Sequence, residues 1–431
     1  MEKAKALTNI NQLFIGSETV AYLAGSKQGE PKILDNAAVV FDSNVRWVGN
    51  SSELKAYLNT EQLEAEIIDC SGKSVLPGLI DSHTHYPFAG NRSGEFAMRL
   101  RGATYEEIAE AGGGIQNTVK STRESSIEQI YTSTLKHVRR AAEHGVTSIE
   151  MKSGYTLTRE GEIKQLEVIK LLDVNTPLDL YPTFMGAHDF PKELKPSPEG
   201  QQEYIDFLCS ELIPEVAEKK LAVFNDVFID KGYYSTEQGL QVLEAGIKYG
   251  LSPRAHCEEL VNLGSAGPVS DIGALSIDHL ICINEVDAVT MAKNTTVATM
   301  LPGVSYFLRK PYMPARMMIE KGVPIAVATD FNPGSSHTNN LQMAIQLACI
   351  QGGLTVLEAL TAATVNAAYS LRDESKGSIS VGKRADFAVM DCKSLDEIIY
   401  LHGVNHCVQT WKDGELIFEK QPEAVGNGWV S

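Results

Sequence analysis

Four side chains of the types that bind metals follow three separate apolar stretches of this 431-residue chain. His83 and His85 directly follow an early apolar stretch, and residues i and i+2 of a strand point to the same side, so both imidazoles face one direction. His256 and Asp330 end later apolar stretches. Each has an ordinary alternative, a core histidine or an aspartate in an Asx turn. Together they offer three imidazoles and one carboxylate, which suit Zn²⁺ or Fe²⁺ and are typical of a metal-dependent hydrolase.

The segments that carry these residues alternate apolar strands with amphipathic helices, the pattern of parallel βαβ units. The eight candidate strands that a closed (β/α)8 TIM-type barrel requires lie at 75–80, 147–151, 178–184, 222–229, 253–256, 276–280, 297–301 and 325–329. In such a barrel all four candidate ligands fall at the carboxyl ends of strands, where active sites lie. An open doubly wound sheet is the alternative architecture.

The two terminal regions have a different sequence pattern, which predicts short strands joined by tight turns. Residues 38–41 and 46–48 flank a turn, and the Asp-Gly pair at 413–414 predicts a hairpin between 407–411 and 415–418. We therefore expect a small composite β-sandwich domain formed by residues 1–74 and 375–431, around a barrel over residues 75–374. One barrel helix is predicted to begin with a capping box of Ser125 and Glu128 and to end at Gly145.

Composition excludes several classes of partner. The formal net charge of −17 argues against a nucleic-acid or anionic-membrane surface, which needs clustered Lys and Arg. The seven cysteines are scattered and never form a CxxC pair, so disulfides are not expected. No apolar run approaches the ~20 residues of a membrane span, and we expect a cytoplasmic protein.

Several motifs give the chain a resemblance to a known family. It resembles the amidohydrolase superfamily through Pro-Gly-Leu-Ile-Asp-Ser-His-Thr-His at 77–85, the later histidines and the aspartate of the eighth strand. Within it, the chain is similar to the imidazolonepropionase family. That similarity rests on Phe-Ala-Gly-Asn-Arg at 88–92, Leu-Arg-Gly-Ala-Thr-Tyr at 100–105, Ala-Gly-Gly-Gly-Ile at 111–115, Lys-Ser-Gly-Tyr at 152–155, Gly-Ala-His at 186–188 and Asp-Phe-Asn-Pro-Gly-Ser-Ser at 330–336.

The resemblance implies hydrolytic ring opening of 4-imidazolone-5-propanoate to N-formimidoyl-L-glutamate, a step of histidine degradation. It implies one divalent or trivalent metal ion per subunit, zinc or iron, whose ligands are His83, His85, His256 and Asp330. Such an ion lowers the pKa of its water from about 15.7 to around 7. Asp330 would also accept a proton from the water and pass it to the departing ring nitrogen, and His279 would polarise the carbonyl.

The resemblance also implies a set of substrate contacts. Arg92 can bind the propionate through two parallel hydrogen bonds, although an exposed surface arginine is the alternative. The other implied contacts are Tyr105, Tyr155, His188, Glu259, Asn332, Gly334 and Ser335. Glu259 is expected to hydrogen-bond a ring N–H or to shuttle a proton, but the adjacent Glu258 leaves that choice open. No role is assigned to His337.

Two other functions remain open. A mononuclear deaminase of the same superfamily, acting on a purine, pyrimidine or triazine, would keep the metal ligands without needing Arg92. A catalytically inactive scaffold relative is the more remote alternative, because all four ligand residues are present. The fourth candidate strand ends without the lysine that binuclear members carboxylate, which favours one metal ion. A homodimer is the expected assembly.

Overall fold

The computed structural model describes residues 4–103, 107 and 113–421. Tyr105 and part of the glycine-rich motif at 111–115 lie outside the described residues. The first five strands are short elements of a mainly antiparallel sheet, in which β1 pairs with β2 and β2 with β3. They are β1 (Ala4–Gly16), β2 (Lys32–Phe41), β3 (Val45–Asn50), β4 (Ala65–Asp69) and β5 (Ser74–Pro77).

Eight parallel strands follow, and each pairs with the next along the chain. They are β6 (Leu79–Asp81), β7 (Val146–Lys152), β8 (Asp179–Ala187), β9 (Phe224–Ile229), β10 (Ser252–Cys257), β11 (Ser276–His279), β12 (Val297–Met300) and β13 (Ile325–Val327). The two ends of this sheet meet just beyond β6 and β13. There the Asp330 N–H donates to the His83 carbonyl and the His85 N–H donates to the Phe331 carbonyl, both over 3.0 Å. The (β/α)8 prediction is confirmed.

The last three strands, β14 (Phe387–Met390), β15 (Cys407–Lys412) and β16 (Glu415–Glu419), complete the first sheet. The sheet order is β16-β15-β14-β5-β1-β2-β3, and β4 pairs with β1. Both chain termini therefore build one β-domain, as the sequence predicts. Asp413 and Gly414 form the two-residue loop between β15 and β16, both with positive φ, which matches the predicted Asp-Gly hairpin.

Helices cover the outside of the barrel and link its strands. The α-helices of the described chain are Leu54–Thr60, Ser93–Leu100, Ile115–Glu124, Ile127–Glu143, Arg159–Asn175, Pro198–Phe207, Ile213–Glu218, Thr236–Lys248, Ala266–Asp271, Glu285–Asn294, Pro302–Leu308, Ala315–Lys321, Leu341–Ile350, Val356–Ala362, Val365–Ser370 and Glu397–Tyr400. Shorter 3-10 turns occupy Gly25–Gly29 and Ser51–Glu53, and a π-turn occupies Leu208–Leu212. Each described helix is too short or too polar to cross a membrane.

The predicted capping box is displaced by one residue. Ser126 caps the helix Ile127–Glu143 by accepting from the Gln129 N–H, and the Gln129 side chain accepts from the Ser126 N–H in return. The Ser125 hydroxyl donates instead to the Ser121 carbonyl of the preceding helix. The predicted helix end is correct, because Gly145 follows the last turn with φ +88°.

The strand predicted over 75–80 is two strands in two different sheets. Gly78 separates β5 from β6, and its N–H donates to the Asp386 carbonyl of the β-domain over 2.8 Å. The next N–H, of Leu79, donates to the Gly145 carbonyl beside the barrel over 2.9 Å. A Cβ at position 78 would overlap the Thr147 side chain, so glycine is required where the chain enters the barrel.

Candidate functional site

The four predicted metal ligands converge at the carboxyl end of the barrel. Nε2 of His85 lies 3.1 Å from Nε2 of His256 and 3.2 Å from Oδ1 of Asp330. Nε2 of His83 lies 3.5 Å from the same Asp330 oxygen. All four residues are buried, with at most 3% of their surface exposed. The barrel thus brings together residues that are far apart along the chain.

The donor atoms of this cluster have the arrangement that a cation would satisfy. Among the described residues, Nε2 of His83 and Oδ1 of Asp330 have no hydrogen-bond partner although they are buried. Nε2 of His85 and of His256 face each other, and two unprotonated ring nitrogens cannot bond to each other. One bound cation would take up all four atoms, and nitrogen with oxygen donors suits zinc or iron.

Two buried carboxylates contact the Nδ1 atoms of His83 and His256, the ring nitrogens that are not candidate metal ligands. Oδ2 of Asp278 lies 2.6 Å from Nδ1 of His83, and Oδ1 of Asp226 lies 3.0 Å from Nδ1 of His256. In each ring a proton on Nδ1 leaves Nε2 free to act as a ligand. The sequence alone does not identify either aspartate as a partner of a histidine, because nothing local distinguishes Asp226 or Asp278 from other acids within strands.

Burial and charge interactions shift the pKa values of the ionisable groups in the cluster. Burial opposes ionisation of Asp330, but interactions with the adjacent His83 and His85 rings hold its pKa well below the usual range. Burial, reinforced by the neighbouring histidines, lowers the pKa of His256 well below its ordinary value, so this ring is neutral. Burial and Lys152 tend to lower the pKa of His83, yet the Asp278 and Asp330 carboxylates outweigh them and raise it to about 9. Metal binding would therefore release a proton from His83.

His279 and Glu259 lie beside this cluster. His279 ends β11 with φ +74°, and its Nε2 lies 3.7 Å from Oε2 of Glu259. A ring nitrogen of His279 also lies within 4.8 Å of donor atoms of His83 and Asp330. Glu258 points elsewhere, since its carboxylate accepts from the N–H groups of Leu263 and Ser265. Of the two adjacent glutamates, Glu259 is the one that lines the cavity.

A cavity of about 700 Å³ opens above the cluster at the mouth of the barrel. The sequence-predicted residues that line it are His85, Arg92, Tyr155, His188, His256, Glu259, His279, Asp330, Asn332, Gly334 and Ser335. Tyr105 lies outside the described residues. His337 is exposed and is not among the residues that line this cavity, and its Nδ1 lies 3.3 Å from the Asn332 carbonyl oxygen. The barrel therefore gathers every other predicted substrate contact around one opening.

Arg92 is held at the wall of this cavity. Its Nε donates to Oε2 of Glu95 over 2.8 Å, and that carboxylate also accepts from the Gly114 N–H and from the Asn117 amide. The guanidinium passes so close to Gly334 that a Cβ at this position would overlap it. Glu95 is a further site residue that the sequence analysis missed.

His188 and Tyr155 form an aromatic wall next to the metal ligands. The His188 ring stacks on His85 with centroids 4.9 Å apart and contacts Tyr155 at 5.1 Å. Burial, together with the nearby His85, lowers the pKa of His188 to about 3, so its ring is neutral at physiological pH. Nδ1 of His188 lies 3.1 Å from the Gly154 carbonyl, which leaves Nε2 available to a ligand.

Asn332 organises the loop that follows Asp330. Its Oδ1 accepts from the N–H groups of Gly334 and Ser335, and its Nδ2 donates to the Asp330 carbonyl over 2.8 Å. These bonds use the amide within the loop itself. Asn332 therefore fixes the backbone that carries both Asp330, a predicted metal ligand, and the glycine next to Arg92.

Comparison with known proteins agrees with this architecture. Residues 241–417 match the model of the amidohydrolase family. The chain is 42% identical over 414 residues to the imidazolonepropionase of Geobacillus sp. (strain WCH70), which covers 95% of this chain and 97% of that protein. It is also 42% identical over 397 residues to the imidazolonepropionase of Brevibacillus brevis, with 92% and 93% of the two chains covered.

Solved structures with the same fold are more distant in sequence. A zinc-containing mutant of atrazine chlorohydrolase from Arthrobacter aurescens superposes with a TM-score of 0.72 at 14% identity, covering 98% of this chain and 97% of that one. A zinc-bound adenosine deaminase from Xanthomonas campestris gives a TM-score of 0.71 at 14% identity, covering 98% and 95%. At such identities these likenesses show the fold alone.

Proposed function

The chain belongs to the imidazolonepropionase family of amidohydrolases, hydrolases that open a cyclic amide, and we propose which of its residues carry out that reaction. The substrate is 4-imidazolone-5-propanoate and the product is N-formimidoyl-L-glutamate. This assignment of roles rests on one cavity, which is lined both by the histidine and aspartate cluster and by Arg92. A substrate with an amide ring at one end and a carboxylate at the other matches both walls.

One divalent or trivalent metal ion per subunit, zinc or iron, is proposed to be held by His83, His85, His256 and Asp330. When bound, such an ion polarises the ring carbonyl and makes a water molecule nucleophilic near neutral pH. The partnerless buried donor atoms of His83 and Asp330 support this ligand set. The zinc reported for the two structural neighbours is consistent with it.

Asp330 is proposed to move the proton in this reaction. Water adds to the ring carbonyl carbon, the bond from that carbon to the ring nitrogen breaks, and the nitrogen leaves with a proton. Asp330 lines the cavity beside the histidines, and its carboxylate would accept a proton from the water and deliver it to the leaving nitrogen. The carbonyl carbon becomes the new carboxylate of the product.

His279 and Glu259 are proposed to act on the ring from the side of β11. His279 would donate a hydrogen bond to the carbonyl oxygen as negative charge develops there. Glu259 lies 3.7 Å from His279 and 3.6 Å from Nζ of Lys310, and its carboxylate would accept a hydrogen bond from a ring N–H. Both residues line the cavity, which supports contact with the substrate.

Arg92 is proposed to bind the propionate. Its Nε is already bonded to Glu95, so the terminal nitrogens remain to bind a carboxylate. The aromatic wall of Tyr155 and His188 would bind the flat ring, and Tyr105, Asn332, Gly334 and Ser335 complete the proposed contacts. A homodimer in the cytoplasm stays a prediction.

The test is direct. The purified protein, loaded with Zn²⁺ or Fe²⁺, is incubated with 4-imidazolone-5-propanoate while the ring absorbance and the formation of N-formimidoyl-L-glutamate are followed. Loss of the ring with stoichiometric product is expected, and D330N should abolish it. Parallel incubations with cytosine and guanine, in which ammonia is measured, test the deaminase alternative. Ammonia from those bases with an intact imidazolone would overturn the proposal.

A further inference from the structure

Lys152, the last residue of β7, is a buried cation to which the reaction above assigns no role. It is fully buried, and its Nζ lies 2.7 Å from Oε1 of Glu150 and 3.1 Å from Oδ2 of Asp226. A buried ammonium is costly to desolvate, and it is retained where partners compensate its charge. Here a single Nζ contacts two carboxylates from neighbouring regions of the barrel.

The contact with Asp226 connects Lys152 to His256, one of the proposed metal ligands. Asp226 uses Oδ2 toward Lys152 and Oδ1 toward Nδ1 of His256, at 3.0 Å. The rotation of this carboxylate is therefore determined at both oxygens. If the ammonium were removed, Asp226 would be left with a buried, uncompensated charge and with freedom to turn away from the His256 ring.

The contact with Glu150 connects Lys152 to the segment that carries the other two proposed ligands, His83 and His85. Oε2 of Glu150 accepts from the Thr84 N–H at 3.2 Å, and the Thr84 hydroxyl donates to the Glu150 carbonyl at 2.6 Å. Thr84 lies between His83 and His85 in the chain, so these bonds fix the backbone from which both imidazoles project. Lys152 and the Thr183 hydroxyl both contact Oε1 of Glu150, which leaves Oε2 to make the first of these bonds.

We propose that Lys152 is a positioning residue for the metal site, because one ammonium contacts both the carboxylate that orients His256 and the carboxylate that binds the backbone between His83 and His85. This inference rests on the metal ligands proposed above. Both close contacts of Nζ are to carboxylates, so Lys152 acts as a buried cation and not as a ligand of a second metal ion.

A double-mutant cycle on zinc affinity tests the proposal. The dissociation constant for Zn²⁺ is measured by chelator competition in the wild type, K152M, D226N and the double variant. Loss of the groups that orient metal ligands typically weakens binding about 10- to 100-fold, and we expect this for K152M. Because Lys152 acts on His256 through Asp226, the double variant should bind Zn²⁺ less weakly than the product of the two single effects.

Lys412 provides a matched control. It is also a buried lysine, and its Nζ lies 2.8 Å from Asp413, 3.1 Å from Asp179 and 3.3 Å from Asp386, away from the metal ligands. K412M should lower the thermal midpoint of unfolding without changing the Zn²⁺ dissociation constant. This separates a role in positioning from the general cost of losing a buried ion pair.

The outcomes distinguish the possible failures. A folded K152M with the zinc affinity of the wild type, or effects that simply multiply in the double variant, would overturn the role of Lys152. A wild type that binds no Zn²⁺ would instead overturn the metal site.

If K152M does not fold, K152Q is measured, and the cycle is repeated with E150Q and D226N, whose effects should be coupled through the retained Lys152. Independent effects of those two variants would also refute the proposal.

Discussion

Oδ2 of Asp278 lies 2.6 Å from Nδ1 of His83 and 3.5 Å from a terminal nitrogen of Arg254, and all three side chains are fully buried. Asp278 directly precedes His279, so one short segment of β11 both contacts His83, a proposed metal ligand, and presents a side chain to the cavity. The Arg254 guanidinium compensates the charge of the carboxylate, whose pKa is held well below its usual range against the effect of burial.

The first prediction concerns this aspartate. D278N should weaken Zn²⁺ binding about 10- to 100-fold, because an amide orients the His83 ring less strongly than a carboxylate does. Chelator competition on the folded variant measures the effect. D386N, which alters a buried aspartate of the β-domain, is the control and should retain the affinity of the wild type. Equal affinities for D278N and the wild type would contradict the role of Asp278.

The second prediction separates two roles for His279. If it stabilises the developing oxyanion, H279A should lower kcat about 10²- to 10³-fold while the bound zinc stays at one ion per subunit. Metal analysis and turnover are measured on the same preparation. Loss of the zinc together with the activity would instead make His279 a ligand, which its closeness to His83 and Asp330 makes a real alternative.

The third prediction concerns recognition of the propionate. R92A should lower kcat/KM by a factor that corresponds to about 2–5 kcal/mol of lost binding free energy, because the substrate carboxylate would be left unpaired in the cavity. R99A is a suitable control: Arg99 lines the same cavity, but its guanidinium stacks on Phe96 and Phe307. A smaller loss is expected for R99A. Equal losses would indicate that the positive charge of the cavity, and not a specific contact, selects the substrate.

The fourth prediction is a pH dependence of stability due to His137. Burial, together with the nearby His337, lowers the pKa of this partly buried ring to about 4 from the ordinary 6.5. Between these values the unfolded chain binds more protons than the folded one, so stability is present above pH 6.5 and is lost as the pH falls toward 4. Allowing for solvent screening, the loss is about 1–2 kcal/mol.

Urea unfolding at pH 7 and pH 4.5 measures this effect. H137F removes the titrating ring, so the free energy of unfolding should fall less between the two pH values in this variant than in the wild type. The same dependence in both proteins would show that other groups account for the acid sensitivity.

Local signals were sufficient for most elements of the fold. The hairpin at Asp413 and the eight barrel strands follow from turn residues and apolar periodicity. The capping box was misplaced because Ser125 with Glu128 and Ser126 with Gln129 both fit the motif, and a contact with the previous helix decides between them. The strand at 75–80 was predicted as one because its apolar run continues through Gly78. The division at 74/75 and 374/375 stays a prediction.

The site was predictable only in part, for a physical reason. The metal-type residues have recognisable chemistry and sit at the ends of strands, so His83, His85, His256 and Asp330 stand out. Their supporting carboxylates do not, because the bond from Asp278 to His83 spans 195 positions of the chain and depends on the closed barrel. Glu95 and Lys152 each combine a local partner with distant ones, Gly114 and Asn117 for Glu95 and Asp226 for Lys152, and the distant partners cannot be read from the local sequence.

The contact that closes the barrel, between β6 and the residues after β13, lies next to the candidate metal centre. Asp81 of β6 accepts two hydrogen bonds from Thr329, 248 residues away, and the proposed ligands follow directly on both sides of that contact. An ion could be captured with full affinity only after the last strand has docked against the first. High-affinity zinc uptake during refolding should therefore lag behind formation of the earlier strands, and chains that lack the last strand should bind the ion only weakly.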